Sequence, residues 1–453
     1  MDFEPRFPRT GRPSPAAVGQ AREIADIVAL LRQRGPVTRP MVVRETGLGR
    51  AVVAQRLADL QASGLIVGCG SEASSGGRPP RQLMFNAALG HVLVADLGAT
   101  SIDVAAADLA GRILVRRSEE ADIASGPEPI LHRVEQLFDD IVQAAIDLPG
   151  RLWGIGIGIP GPVEFSTARP VSPPIMPGWD GYLIRARLSG RYGAPVWVDN
   201  DVNVMALGER AEGIGQNCDD MIFVKIGTGI GAGIVSHGTL QRGAQGSAGD
   251  VGHIQVIADP AVVCRCGKIG CLEAIAGGGA LGRTATRVAT QGESAALAAV
   301  LAKQGIVTAR DVAEAARHGD QISILLLREA GRYVGQMLAA AVNLLNPALI
   351  VIGGGVAESG DVLISSVREV IFGRSTALAT RHLRILQSIL GDRAGITGAA
   401  VMVLDELFAR DRFQLLDDVV VLSGHGEVGR YGRATQRETE QKGGATAAIG
   451  AAV

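Results

Sequence analysis

The stretch from Gly249 to Glu273, GDVGHIQVIADPAVVCRCGKIGCLE, organises the rest of the chain. It holds three of the five cysteines, with one histidine upstream of them: His253, Cys264, Cys266 and Cys271. Three thiolates and one imidazole are a ligand set that a tetrahedral zinc ion takes in a closed structural site. The alternative is a group of buried structural thiols. Two carboxylates that zinc does not need, Asp250 and Glu273, lie in the same stretch and predict a pocket shaped by the metal.

Two glycine-bearing hairpins precede this stretch, VLVADLGATSIDVAAADLAGRILVRR over 92–117 and MIFVKIGTGIGAGIVSHGTL over 221–240. Such turns receive phosphates on backbone N–H groups and threonine hydroxyls, and an aspartate beside one holds a hydrated Mg²⁺. A third glycine run, in ALIVIGGGVAES over 348–359, follows a predicted strand. Each pattern alone is weak, since it also occurs in ordinary turns. Together they predict six nucleotide contacts: Asp96, Gly98, Thr100, Thr228, Gly229 and Gly354.

A polar pair, Asn200-Asp201, ends the predicted strand in GAPVWVDND and opens the next helix. The carboxyl ends of parallel strands are where α/β sheets place their ligands. An aspartate at this point is also a favoured helix N-cap, and the two roles are compatible. The sequence therefore predicts that Asn200 and Asp201 contact a ligand.

Composition limits the class of protein. The chain of 453 residues is 47% hydrophobic and 20% charged, which is typical of globular α/β domains. It has no apolar run long enough to span a membrane, no signal peptide at its N-terminus and no pattern of cysteines for a disulfide framework. These observations predict a cytoplasmic protein.

The segment 20–88 has the pattern of a winged helix-turn-helix. Residues 20–90 carry nine arginines and five acidic residues, whereas the whole chain has a net charge of −2, so a basic head precedes an acidic body. Helices are predicted over 20–34, 38–46 and 50–63, the third being the recognition helix, followed by two wing strands. The predicted DNA contacts are Arg50, Ala51, Gln55, Arg56 and, in the loop SEASSGGRPPR, Arg78. A solvated helix face and a plain linker are the alternatives.

The two ends of the chain are predicted to be disordered. Residues 1–19 are rich in Pro, Arg and Gly, and residues 411–453 are polar and rich in Gly. Neither composition favours a packed core.

Taken together, these motifs resemble the ROK family of repressors and sugar kinases. The most specific match is CRCGKIGCLE, which fits the family signature C-x-C-G-x-x-G-C-x-E, and VDNDVNVMALGE supports it. The resemblance implies a two-lobed actin and hexokinase-like α/β fold over 89–410. Lobe one is expected at about 89–200 plus 394–410, and lobe two at about 201–393. The helix-turn-helix groups the chain with the regulators of the family.

The resemblance also implies roles for single residues. Asp201 matches the catalytic base that deprotonates a sugar hydroxyl as it attacks ATP, with Mg²⁺ as the second cofactor. Sugar hydroxyls are expected to meet five side chains: Asn200, Asp201, Asp250, His253 and Glu273. His253 is also expected to bind Zn²⁺ with the three cysteines.

Three departures from the family pattern bear on function, one of them in the recognition helix, where Gly49 and Val52 stand in place of the common Ser and Thr. The other two lie in the predicted cleft. The first phosphate turn reads Gly98-Ala99-Thr100-Ser101 where family kinases read Gly-Gly-Thr-Lys, so the lysine is missing. Asp250 stands where a glutamate is usual, which shortens one sugar contact by a methylene and predicts a different sugar preference.

Two hypotheses follow. The first is a transcriptional repressor whose effector is a sugar or a sugar phosphate. It would bind an inverted-repeat operator as a homodimer or tetramer and lie at the nucleoid when bound to DNA. The second is an ATP-dependent sugar kinase with a regulatory DNA-binding head.

Overall fold

The structure is a computed structural model that describes residues 15–71, 81–144, 148–357 and 360–409. The predicted tail, most of the predicted N-terminal arm and the wing residue Arg78 lie outside the described residues. Within the described ranges, no helix is long and apolar enough to cross a membrane.

The N-terminal head is a winged helix-turn-helix. Its elements are α1 Pro15–Arg34, β1 Val37–Thr38, α2 Arg39–Thr46, α3 Arg50–Ala62, β2 Ile66–Ser71 and β3 Arg81–Phe85. The three strands form a sheet in the order β1-β3-β2, with Val37 opposite Leu83 and Ile66 opposite Phe85. Helix α1 begins five residues before its predicted start at Gln20.

The apolar stripe predicted for the recognition helix is buried. Val53, Leu57 and Leu60 are at most 2% exposed and pack against α1 and the wing strands. Their spacing of three and four residues places them on one helix face, and the opposite face is left to solvent. This arrangement fixes which side chains of α3 are free to meet a ligand.

The first lobe is a five-stranded mixed sheet covered by helices. Its elements are β4 Gly90–Leu97, β5 Ser101–Asp108, β6 Ile113–Glu120, α4 Pro127–Ala144, β7 Arg151–Ile159, β8 Val163–Glu164, β9 Arg169–Pro170, α5 Ile184–Tyr192 and β10 Val196–Asn200. The strand order is β10-β7-β4-β5-β6, with β4 parallel to β7 and antiparallel to β5.

The second lobe repeats this plan with a sheet in the order β13-β12-β11-β14-β15. Its elements are α6 Asp201–Glu212, β11 Met221–Ile226, β12 Ile230–Ser236, β13 Thr239–Leu240, α7 Leu272–Ala276, α8 Gly278–Thr290, α9 Ala295–Gln304, α10 Ala309–Arg317, α11 Gln321–Leu345, β14 Leu349–Gly353, α12 Asp361–Arg374, α13 Ala377–Thr380 and β15 Arg384–Gln387. The described residues also form three short 3₁₀ helices: Ala87–Leu89, Ile123–Ser125 and Val251–His253.

The last helix, α14 (Arg393–Leu407), packs closely against α6 and against the first sheet. It begins six residues before its predicted start at Ala399. Gly398 allows the close approach, because a Cβ atom there would lie 1.7 Å from the backbone oxygen of Val204. At the start of α14, Gly395 lies against the carboxylate of Asp96 at the end of β4.

The head and the first lobe share one hydrophobic core. Phe408, just after α14, makes an edge-to-face contact with Phe85 of the wing at 5.5 Å between ring centroids. Its ring also lies 6.2 Å from that of Trp153 on β7, and the guanidinium of Arg32 on α1 covers it at 4.9 Å. Apolar and cation–π contacts therefore join the head to the first lobe and to the residue that follows α14.

Candidate functional site

A cleft of about 1140 Å³ lies between the two lobes and collects the predicted ligand contacts. The six predicted nucleotide contacts line it: Asp96, Gly98, Thr100, Thr228, Gly229 and Gly354. The five predicted sugar contacts line it as well: Asn200, Asp201, Asp250, His253 and Glu273. These residues come from hairpin turns, strand ends and the cysteine-rich stretch, so their proximity is a product of the fold.

The four predicted metal ligands lie together at one side of the cleft. One ligand atom from each lies within 4.8 Å of the other three. The Sγ atoms of Cys266 and Cys271 are 3.8 Å apart, and Cys264 Sγ is 3.5 Å from His253 Nδ1. Two sulfurs bound at about 2.3 Å to a tetrahedral zinc ion are about 3.8 Å apart, so the donor set fits such an ion.

Local backbone pairing holds the ligands in place. Val263 pairs with Ile269 across the loop that carries Cys264 and Cys266, and Gln255 pairs with Cys271. Cys271 then starts α7, whose first turn contains Glu273. The metal site is therefore coupled through one short helix to a carboxylate in the cleft.

His253 has different neighbours on its two ring nitrogens. Nδ1 faces the sulfur of Cys264, and Nε2 lies 3.8 Å from Oδ1 of Asp250. The latter distance is too long for a hydrogen bond, and the side chain of Asp250 is 43% exposed. Nε2 and Asp250 are therefore both open to a ligand in the cleft.

Glu273 lies beneath the second glycine hairpin. Its Oε2 accepts a hydrogen bond from the backbone N–H of Ile230 at 3.3 Å. A Cβ atom on Gly229 would lie 2.3 Å from the same oxygen, so a larger residue here would require the Glu273 side chain to move. Glu273 consequently links the hairpin to the cysteine-rich stretch.

Asn200, and not Asp201, caps helix α6. The Asn200 side-chain oxygen accepts from the backbone N–H groups of Val202 and Asn203, and its Nδ2 donates to the Gly161 carbonyl at 3.1 Å. The proposed capping role of Asp201 is therefore corrected, because Asp201 is the first residue of the helix itself. Its carboxylate instead faces the cleft.

Lys225, which none of the sequence motifs predicts as a site residue, is paired with Asp201. Its Nζ lies 2.6 Å from Oδ2 of Asp201, and the Lys225 and Asp201 side chains are 23% and 6% exposed. Burial acts to lower the pKa of Lys225, but the charges of Asp201 and Asp96 outweigh it and raise the pKa. The sequence does contain a signal for a site residue at this position. A lysine interrupts the apolar strand MIFVKI, two residues before Gly227-Thr228-Gly229.

Asp96 is the carboxylate with the most perturbed environment in the cleft. Its buried Oδ1 has no hydrogen-bond partner in the part of the chain that the structure describes. Burial raises the pKa of Asp96 to about 7, although the charge of Lys225 opposes the rise. The carboxyl group therefore exchanges its proton near neutrality.

Asp96→Asn should remove a pH dependence of stability. An unfolded aspartate has a pKa of about 3.9, so between about pH 4 and 7 the unfolded chain releases a proton that the folded chain retains. Stability then falls as pH rises, by at most about 1.4 kcal/mol per pH unit from this group. Urea denaturation of both proteins across this range measures the difference. The exposed Asp219→Asn is the control, and an unchanged slope in Asp96→Asn would contradict the assignment.

The head presents only part of the predicted DNA-binding set. Arg50, Ala51 and Gln55 are exposed on α3. Arg56 is different: its Nε donates to Glu23 of α1 at 2.9 Å, and its Nη1 donates to Asp59 at 3.3 Å. These carboxylates hold the guanidinium of Arg56 within the head, and its contact with a base edge stays a prediction.

Comparison with known proteins agrees with this geometry. The ROK family profile matches residues 92–406. A glucokinase of Halalkalibacterium halodurans is 33% identical over 308 residues, covering 68% of this chain and 93% of the enzyme. A xylose repressor of Caldicellulosiruptor bescii is 30% identical over 373 residues, covering 82% of this chain and 93% of the repressor. A crystal structure of a ROK family transcriptional regulator, a homologue of E. coli MLC protein, has a TM-score of 0.75 at 27% identity. It covers 89% of this chain and 100% of that one.

The extent of these matches decides the family. The profile spans well over half of the chain, and the repressor and regulator matches cover more of the chain than the glucokinase match does. The predicted fold class, two α/β lobes behind a winged helix-turn-helix, is confirmed. The resemblance drawn from CRCGKIGCLE and its flanking motifs is confirmed with it: the chain belongs to the ROK family.

Proposed function

We propose that this protein is a sugar-responsive transcriptional repressor. The observation that carries the proposal is the single core that joins a winged helix-turn-helix to the first lobe of a sugar-kinase-like cleft. The similarity to a xylose repressor over 82% of the chain supports it. Sugar binding would change how the lobes close, and the shared core would carry that change to the head.

Zinc is the metal we propose for the cysteine-rich stretch. His253, Cys264, Cys266 and Cys271 would hold it, and a d¹⁰ ion in a closed site supplies stability rather than redox chemistry. Zinc at Nδ1 of His253 would fix the ring so that Nε2 meets a sugar hydroxyl. Asn200, Asp201, Asp250 and Glu273 would complete the polar wall of the sugar site.

The DNA partner is proposed to be an inverted-repeat operator read by a homodimer. Two recognition helices related by twofold symmetry match two half-sites about one helical turn apart. The exposure of Arg50 and Gln55 on the outer face of α3 supports a role in DNA contact, although Gln55 also donates to Asp59 at 2.9 Å.

A gel-shift titration on the promoter of the chain's own gene, across a panel of sugars, tests the proposal. We expect one sugar to change operator affinity by about tenfold or more, the usual size of a coupling between two sites. Operator binding that no sugar alters would reject the sensing role.

Substitutions in α3 should separate base reading from phosphate binding. Gln55→Ala should weaken operator DNA more than random duplex, by about 1–3 kcal/mol of discrimination. Arg50→Ala should weaken both alike and reduce the salt slope by about one. Arg56→Ala is the matched comparison: it should lower the stability of the head through loss of Glu23 pairing. Equal effects of Gln55→Ala on both DNAs would contradict the assignment.

Sugar kinase activity is the second candidate. The cleft retains Asp201, Thr100 and Thr228, and the chain is 33% identical to a glucokinase over 308 residues. A coupled ADP-release assay decides between the functions, with Asp201→Ala as the inactive reference. Turnover that depends on sugar and is lost in that variant would establish the kinase.

A further inference from the structure

The acidic groups that line the cleft, and Asp199 next to them in the chain, differ in how their charge is balanced. Asp103 pairs with Arg116 at 2.6 Å, and Asp199 pairs with Arg242 at 2.7 Å. Asp96 and Asp201 have no arginine of their own among the described ion pairs. Their charges instead act on one ammonium group, that of Lys225.

Lys225 is built into the second sheet so that its long side chain is accommodated. It is the fifth residue of β11, and its direct neighbours are Gly231 on β12 and Gly353 on β14. No side chain therefore stands beside it on either neighbouring strand. Its Nζ lies 2.6 Å from Oδ2 of Asp201, so this ion pair joins the second sheet to helix α6.

Asp201 is already engaged on both oxygens. Oδ1 accepts the backbone N–H of Val202 at 2.9 Å, and Oδ2 accepts the Lys225 ammonium. A sugar hydroxyl that approaches Asp201 must share the carboxylate with a fixed cation. The hydroxyl then meets a hydrogen-bond acceptor that is oriented for binding rather than free to take a proton.

A divalent cation does not fit this arrangement. Phosphoryl transfer needs Mg²⁺ to bridge phosphate oxygens, and Mg²⁺ takes carboxylates such as Asp96 and Asp201 as ligands. The Lys225 ammonium contacts Asp201 and interacts electrostatically with Asp96, so it repels a second cation there. Among the described residues, Oδ1 of Asp96 has no hydrogen-bond partner, so one ammonium group balances the acidic pair in part only.

We propose that Lys225 replaces the divalent cation of a sugar kinase, so that the cleft selects an uncharged sugar over a metal–nucleotide pair. This inference rests on the proposed sugar-sensing function and gives it a chemical basis. The positive charge is missing from the first phosphate turn, where Ser101 stands, and is present on the second sheet instead. Lys225 is thus a residue that determines ligand specificity.

Manganese titration of the zinc-loaded full-length chain, followed by electron paramagnetic resonance, tests the inference. Wild type and Lys225→Arg should bind no Mn²⁺ in the cleft up to about 1 mM. Lys225→Met, which keeps the length and removes the charge, should bind one Mn²⁺ per chain at least about tenfold more tightly. A second substitution, Asp96→Asn, should abolish that gain. Lys225→Gln serves if the methionine variant does not fold, and zinc content with thermal melting verifies each fold.

Two results would overturn the inference. One is a wild-type Mn²⁺ site that Asp96→Asn removes. The other is a folded Lys225→Met or Lys225→Gln that gains no Mn²⁺ site. Neither result depends on the gel-shift titration with the sugar panel. If no sugar altered operator binding, the sensing function would be rejected, and the manganese titration would still test the role of Lys225.

Discussion

Cys266→Ser should release the metal and abolish the sugar response while leaving the head folded. Removing one of the three thiolates takes away a strong ligand, and metal binding in such sites contributes free energy of folding. The loop that carries Cys264 and Cys266 leads through Cys271 into α7, and α7 belongs to the core of the second lobe. We therefore expect less than about one tenth of the wild-type zinc, measured by plasma mass spectrometry, and a lower melting temperature of the second lobe.

Cys69→Ser is the matched control for this experiment. Cys69 lies on wing strand β2 and is not part of the metal cluster, so its replacement should leave zinc content and sugar response unchanged. Stoichiometric zinc in Cys266→Ser would contradict the ligand assignment. Loss of zinc with an intact sugar response would instead separate the metal from the cleft.

Phe408→Ala should destabilise the chain by about 3–5 kcal/mol, the usual cost of deleting a buried aromatic side chain. Phe408 is 6% exposed and touches groups from both domains: Arg32, Phe85 and Trp153. We expect the head to unfold at lower urea concentration than the lobes. DNA affinity, measured by fluorescence anisotropy, should fall although no group on the outer face of α3 is altered.

Phe372→Ala on α12 is the control, because Phe372 is 50% exposed. It should cost about 0.5 kcal/mol or less. Equal stability of the Phe408 and Phe372 variants would show that the head does not depend on the shared core.

Much of the fold could be predicted from local patterns. Alternating and continuous apolar runs gave the strands of both hairpins, and the spacing of Val53, Leu57 and Leu60 gave the buried face of α3. The predicted start of α14 lies six residues too far along the chain, because its first residues, Arg393 to Gly398, include two glycines and form no apolar stripe. Tertiary packing on α6 and Asp96 stabilises that turn, and local propensity does not report it.

The site was predictable where spacing along the chain carries the chemistry. The metal ligands lie within 19 residues, and the phosphate turns have their own glycine pattern. Ion pairs between distant elements could not be found this way. Arg56 meets Glu23 across 33 positions and Lys225 meets Asp201 across 24, so only the folded chain reveals that both cations are already paired.

The shared core also bears on how the protein is made. Ribosomes release the head first, yet its wing strand packs on Phe408, which emerges after more than 300 further residues. Domains usually fold as units in the order in which they are synthesised. In a nascent or prematurely terminated chain, by contrast, the core of this head is incomplete because Phe408 is missing. If the protein is the repressor we propose, we expect full DNA affinity only from chains in which both lobes have been translated.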